Sequence, residues 1–150
     1  MPGTSIIYSK YTDSDFESLL NMGLKLWDDF KEQELADTLK KAVSSSHQQV
    51  FMAKAVELPI AFGYVSIRTD YVEGAEQSPT GYLEGIFVES KHRKKGIAKH
   101  LVTIGEEWLK NNGCNQIGSD TWLWNKKSQE FHKKIGFWEE ERLVHFLKDI

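Results

Sequence analysis

Apolar positions recur along this chain with two periods, and the alternation between them sets out its elements. Thr4 to Lys10 (TSIIYSK) has strand character. After Thr12 or Asp13 as N-cap, Phe16, Leu19, Leu20, Gly23, Leu24, Trp27 and Phe30 fall at helical spacing. A second helix is predicted over Glu34 to Ser45, with Leu35, Leu39 and Val43 on one face and a serine run as its stop. Gln49 to Arg68 reads as two antiparallel strands split at Glu57, Leu58 and Pro59. Asp70 to Thr80 reads as a loop. Tyr82 to Val88 is a further strand, interrupted at Gly85, where a bulge is expected. Gly96 to Asn112 is an amphipathic helix burying Ile97, Leu101, Ile104 and Leu109, closed by Asn111, Asn112 and Gly113. A strand over Asn115 to Asp120, a short helix over Lys126 to Lys134 and a last strand over Arg142 to Lys148 complete the order βααββ then βαβαβ. That order predicts an α/β (α+β) fold, a mixed central sheet flanked by helices.

Length and composition narrow the picture. The 150 residues are 40% hydrophobic and 27% charged, which suits one compact domain over residues 1–150 rather than a disordered chain. No apolar run approaches the roughly 18 residues of a membrane span, and MPGTSIIYSKYTDSD lacks a signal-peptide layout, so a cytoplasmic protein is expected. Cys114 is the sole cysteine, and the five histidines show no zinc-ligand spacing, so no metal is expected. The formal charge of −3 argues against a general attraction to nucleic acid. Its distribution is more informative: KHRKKGIAK, from Lys91 to Lys99, is cationic without an acid, whereas Leu26 to Asp37 is rich in acids.

The cationic stretch lies between a strand and a helix. There Gly96 and Ala98 allow close approach of a ligand, and the amides and dipole of the helix N-terminus favour a pyrophosphate. By itself it is equally a solvated basic turn. A second pattern stands downstream, Asn125, Ser128 and His132, then Gly136-Phe137. The pair resembles the acetyl-coenzyme A signature of the GNAT superfamily of N-acetyltransferases, with Ser128 where alanine is usual and His132 where many members carry a tyrosine. Leu26-Trp27 with Asp29, Tyr71-Val72 with Gly74, Ser78-Pro79, Leu83-Glu84-Gly85-Ile86-Phe87-Val88, Ser119-Asp120 and Glu141-Arg142 extend the resemblance over nearly the whole chain, to the aminoglycoside 6'-N-acetyltransferases. Asp28 stands where relatives often have proline.

That resemblance implies the GNAT acyl-CoA N-acyltransferase fold and transfer of acetyl from acetyl-CoA to the 6'-amine of aminoglycoside antibiotics, conferring resistance. It also implies a homodimer, while charge and hydropathy lead to no expected nucleic-acid or membrane partner. Carried over residue by residue, it implies an aminoglycoside site at Trp27, Tyr71, Glu84, Asp120 and Glu141. The implied coenzyme site is Ile86, Phe87, Val88, Arg93, Lys94, Lys95, Gly96, Ile97, Ala98 and Asn125, and Glu84, Asp120 and His132 are the catalytic candidates. A GNAT enzyme for another amine, such as a polyamine, a small metabolite or a protein N-terminus, is the alternative.

Residue chemistry supports part of this set independently. A polycationic, hydroxyl-covered substrate needs carboxylates and an aromatic edge. Glu84 stands in an apolar strand, where a carboxylate is costly unless partnered, by substrate or by a structural cation. Asp120 falls either at a ligand crevice or at an N-cap. Glu141 lies in an acidic run typical of a solvated face, and Trp27 fits the core stripe of its helix. His132 suits proton transfer near neutral pH, and equally suits packing or a hydrogen bond to coenzyme.

Overall fold

The computed structural model describes residues 5–150. Thr4, where the predicted first strand opens, lies outside the described residues. A five-stranded sheet in the order β1-β2-β3-β4-β5 forms the centre. Its strands are β1 (Ile6–Lys10), β2 (Gln48–Ala55), β3 (Leu58–Arg68), β4 (Thr80–Val88) and β5 (Ile117–Gly118). All neighbours pair antiparallel except β4 and β5, which run parallel.

Helices α1 (Phe16–Leu26) and α2 (Glu32–Ser44) cover one face. Leu19, Leu20, Met22, Leu35 and Leu39 pack there on Val50, Met52, Phe62 and Phe87. Helix α3 (Ile97–Asn111) covers the other face, inserting Ile97, Leu101, Val102 and Leu109 among Ala53, Ala61, Val65, Leu83 and Val88. Phe131 of α4 (Lys126–Lys134) joins this second cluster from its edge. Cys114 is buried in the same cluster. Close contacts fix the spacing: a Cβ on Gly63 would meet that of Leu101 at 3.3 Å, so α3 rides directly on β3.

Several expectations change. Helix α1 ends before Phe30: the Trp27 N–H closes the last turn on the Gly23 carbonyl, Trp27 leaves helical geometry, and Phe30 is 42% exposed. The β2–β3 connection is the tight turn Val56–Glu57, both with positive φ (48° and 65°), rather than a loop around Pro59. Such a turn matches strand twist but normally uses Asn or Gly, so its residues carry no turn signal. Strand β5 keeps only Ile117–Gly118 of the predicted Asn115–Asp120.

The predicted last strand does not form within the chain. Among the described residues Arg142 to Lys148 pairs with no other strand, and Leu143, Val144, Phe146 and Leu147 are 73–90% exposed. An alternating apolar segment becomes a strand only where an edge accepts its hydrogen bonds, and this one reaches none.

Candidate active site

Strand β4 carries the site because its register breaks there. Tyr64 faces Gly85 while Val65 faces Leu83, so Glu84 is the extra residue of a β-bulge. Strict alternation would place Glu84 with Ile86 and Val88 toward α3, in the apolar cluster. The bulge turns it instead to the α1 side, where Ser66 and Arg68 of β3 wait. Glu84 Oε1 accepts from Ser66 Oγ at 2.6 Å and from Arg68 Nη2 and Nε at 2.8 and 3.1 Å. The structural cation expected for Glu84 is therefore present, and its second oxygen has no hydrogen-bond partner among the described residues.

Asp120 lies two residues beyond the last β4–β5 pair, Tyr82 with Gly118. It is not an N-cap; its carboxylate accepts the hydroxyl of Tyr82. The Arg68 guanidinium lies 3.4 Å over the Tyr82 ring. Burial, reinforced by the Asp120 carboxylate, pushes the Tyr82 phenol well up, so it stays protonated and donating. Tyr64, beside Glu84 and donating to Gln48, is pushed up to about 12, mainly by burial.

Trp27 forms the wall opposite. Its indole stacks obliquely on Phe62 at 5.8 Å and covers Gly85 so closely that a Cβ there would lie 2.6 Å from Cζ2. Trp27 is thus both core and site wall, half-buried just past the helix end. Tyr71 is exposed on the 69–79 loop, which meets the sheet where Val72 packs over Gly118. Glu141 is exposed, and the neighbouring Glu73 of this loop pushes its carboxyl up. Two adjoining carboxylates on a rim favour a cation between them.

Beyond Tyr82 the edge of β4 facing β5 has no strand partner among the described residues, which leaves backbone groups from Leu83 to Val88 open to a gap. Phe87 and Val88 are buried in the two clusters and Ile86 packs against one, so this stretch offers its backbone rather than its side chains. At the gap's far end, Lys94 and Gly96 have positive φ (63° and 79°), and a Cβ on Gly96 would meet nothing within 4 Å. Gly96 is the N-cap of α3, whose first amides have no acceptor within the helix. Lys94, Lys95 and Lys99 are exposed around that turn. An anion fits this cradle. Arg93 does something different from adding charge: its Nε donates to the Val88 carbonyl at 2.7 Å, tying the turn to β4. Ile97 is buried, so only its amide reaches the cradle.

Asn125 caps α4, its Oδ1 accepting the Ser128 N–H at 3.2 Å. His132 Nδ1 lies 2.6 Å from the Ser128 carbonyl, which can only accept, so Nδ1 carries a proton. Nε2 lies 2.7 Å from Ser119 Oγ, next to Asp120. With both nitrogens engaged, His132 orders Ser119 and α4. No group of three or more His, Cys, Asp or Glu suited to a metal is found among the described residues. Sequence reasoning missed Ser66, Arg68 and Tyr82; the available signal was an arginine ending a strand antiparallel to the one bearing Glu84.

These features coincide with what known proteins show. The chain is 34% identical over 137 residues to aminoglycoside N(6')-acetyltransferase type 1 of Serratia marcescens, covering 91% of this chain and 94% of that one. It is 39% identical to the protein of the same name from Salmonella typhimurium, covering 78% and 80%. Aminoglycoside N-acetyltransferase AAC(6')-Iy, solved in complex with CoA, superposes with a TM-score of 0.94 at 32% identity, over 99% of this chain and 98% of that one. Residues 14–137 match the acetyltransferase (GNAT) family across the α1–β5 core and α4, and the chain belongs to that family.

Proposed function

We propose that this protein is an aminoglycoside 6'-N-acetyltransferase, transferring acetyl from acetyl-CoA to the 6'-amine of aminoglycoside antibiotics and so conferring resistance. The observation that carries the reading is the placing of Glu84 and Asp120 on either side of the Arg68–Tyr82 pair, against the Trp27 wall and at the mouth of the β4–β5 gap. Two carboxylates against one guanidinium leave an excess negative charge where a cationic amine would sit. The relatives named above share that acceptor by name.

In this reading the Gly96 cradle takes the coenzyme pyrophosphate, with Lys94, Lys95 and the amides of Ile97 and Ala98. The backbone along Ile86, Phe87 and Val88, apart from the Val88 carbonyl that Arg93 holds, takes the pantetheine, and Asn125 is a further coenzyme contact. An alkylamine titrates near 10.4 and must shed its proton before attacking. Asp120 or Glu84, directly or through water, collects that proton. The neutral nitrogen bonds to the acetyl carbon as the carbon–sulfur bond breaks, and the second proton shed by that nitrogen passes through water to the thiolate, which departs as the coenzyme A thiol. N–H groups beside the Glu84 bulge polarise the carbonyl. Trp27, Tyr71 and Glu141 hold the sugar rings. His132 and Ser119 line the same end; because its Nδ1 proton is held by the Ser128 carbonyl, His132 donates to the thiolate only through a proton carried on Nε2 in place of the Ser119 contact.

The whole chain acts as one domain in the cytoplasm, as a homodimer. The exposed Leu143, Val144, Phe146 and Leu147 support the dimer, since a second copy would cover an apolar segment that this chain leaves bare. No helix among the described residues is long and apolar enough to cross a membrane.

Paired aminoglycosides that differ only in a 6'-amine or a 6'-hydroxyl, such as neomycin and paromomycin, test the acceptor. Thiol release is expected with the amine, and competitive inhibition with little turnover from the hydroxyl. Comparable turnover of both, or a product acetylated on another ring, refutes the 6' assignment. Turnover of polyamines or peptides alone selects the alternative.

A further inference from the structure

Two residues of the site, Arg68 and Tyr82, stand outside the motif pattern, and they join its carboxylates. Ser66, Glu84, Arg68, Tyr82 and Asp120 form an unbroken line of contacts across β3, β4 and the end of β5. Asp120 stands past the final ladder pair, so no strand hydrogen bond fixes it, and Tyr82 is its side-chain partner. Tyr82 is in turn 9% exposed, held between the sheet and the Arg68 guanidinium. Arg68 spends two donors on a single oxygen of Glu84, leaving Oε2 free. With the Ser66 hydroxyl on the same atom, three donors converge on Oε1 and fix its position.

We propose that Arg68 and Tyr82 are positioning residues for acetyl transfer: the stacked pair holds Asp120 by the Tyr82 hydroxyl at the mouth of the gap and holds Glu84 by one oxygen, so that each carboxylate presents its remaining oxygen to the same incoming amine. The proposal rests on the acetyl-transfer reading and adds that the two acids act as one rigid unit. A carboxylate misplaced by about 1 Å can cost on the order of a hundredfold in rate, which makes the tie worth keeping.

The test is a double-mutant cycle of Tyr82→Phe and Asp120→Asn, with Arg68→Lys and Arg68→Met alongside. It is measured by thiol release with whichever primary amine the wild type acetylates best. The identity of that amine tests the acceptor reading, and the cycle tests the tie. Tyr82→Phe keeps the ring under Arg68 and removes only the hydroxyl. It is expected to lower kcat at least tenfold with the KM for acetyl-CoA and the melting temperature unchanged, and to cost nothing further in an Asp120→Asn background. Arg68→Lys should restore part of the activity lost in Arg68→Met. Unchanged kcat in a folded Tyr82→Phe protein, or losses that simply multiply with those of Asp120→Asn, would overturn the proposal.

Discussion

Gly85→Ala tests how tightly the site wall is built. An alanine Cβ there would sit 2.6 Å from Trp27 Cζ2, 2.9 Å from Cη2 and 3.3 Å from Leu26 Cδ2. Ordinary carbon contacts lie at roughly 3.5–4.0 Å, so the indole has to retreat by about 1 Å. It has little room, because Gly23 approaches its other edge so closely that a Cβ there would lie 3.5 Å from the indole, and Phe62 lies below it. Overpacking of this kind costs about 1–3 kcal/mol, or roughly 4–8 °C in melting temperature for 2 kcal/mol in a chain of this size. The same displacement moves the wall against which the acceptor rests, so aminoglycoside kcat/KM should fall by about tenfold to a hundredfold. Calorimetric melting and thiol-release kinetics measure both. The decisive control is the Trp27→Ala background, where the indole is gone and Gly85→Ala should cost less than about 0.5 kcal/mol. An equal cost in both backgrounds, or full activity and stability in Gly85→Ala alone, would refute the wedge.

Gly96→Glu should abolish acetyl-CoA binding in a calorimetric titration while the protein stays folded, since the side chain meets open space and the αL backbone costs only about 1–2 kcal/mol; unchanged affinity would move the pyrophosphate elsewhere. Replacing Val56-Glu57 by Asn-Gly should stabilise the protein by about 1 kcal/mol in chemical denaturation, because both residues now sit at positive φ. Asp15→Ala should cost about 2–4 kcal/mol, as it strands Lys54, 2.8 Å away and only 24% exposed. Burial pushes the Asp15 carboxyl up, but Lys54 and the Thr12 N–H and hydroxyl outweigh it and hold the group below its ordinary value. Its contribution is therefore full above the unfolded value of about 3.9 and fades as pH falls through the lower folded value; an Asp15→Ala protein should lack that part of the acid-denaturation slope.

What the sequence discloses follows from the range of the forces involved. Helices α2, α3 and α4 were legible in period and extent, down to Gly113 at positive φ closing α3, whereas α1 showed its period but not its stop at Leu26. The Val56–Glu57 turn was not, because tertiary pairing of β2 with β3 overrides two residues that disfavour it. The alternation over Arg142 to Lys148 is real, yet a local pattern does not say which edge will receive the segment. Glu84 and Asp120 stood out as acids in apolar settings. Arg68 and Tyr82 did not, since their meaning depends on register: Arg68 faces Thr80 and Ser66 faces Tyr82 only once the hairpin is aligned and the extra residue counted.

That extra residue links the two halves of the site. Before Glu84, strand β4 pairs on both sides, with β3 and with β5; after it, β4 follows β3 alone. A bulge adds local twist and bends its strand, so the insertion that turns the Glu84 carboxylate toward Arg68 also starts the divergence of β4 from β5. One residue of register thus sets both where the Glu84 carboxylate points and where β4 ceases to pair with β5. Restoring regular alternation would undo both effects: Glu84 would point toward Leu101 and Val102, an uncompensated carboxylate among apolar side chains, and the edge of β4 would lie back along β5. The cost of burying that charge favours the bulge, so the carboxylate assigned to the acceptor under the proposed function also favours the register of the strand that carries it.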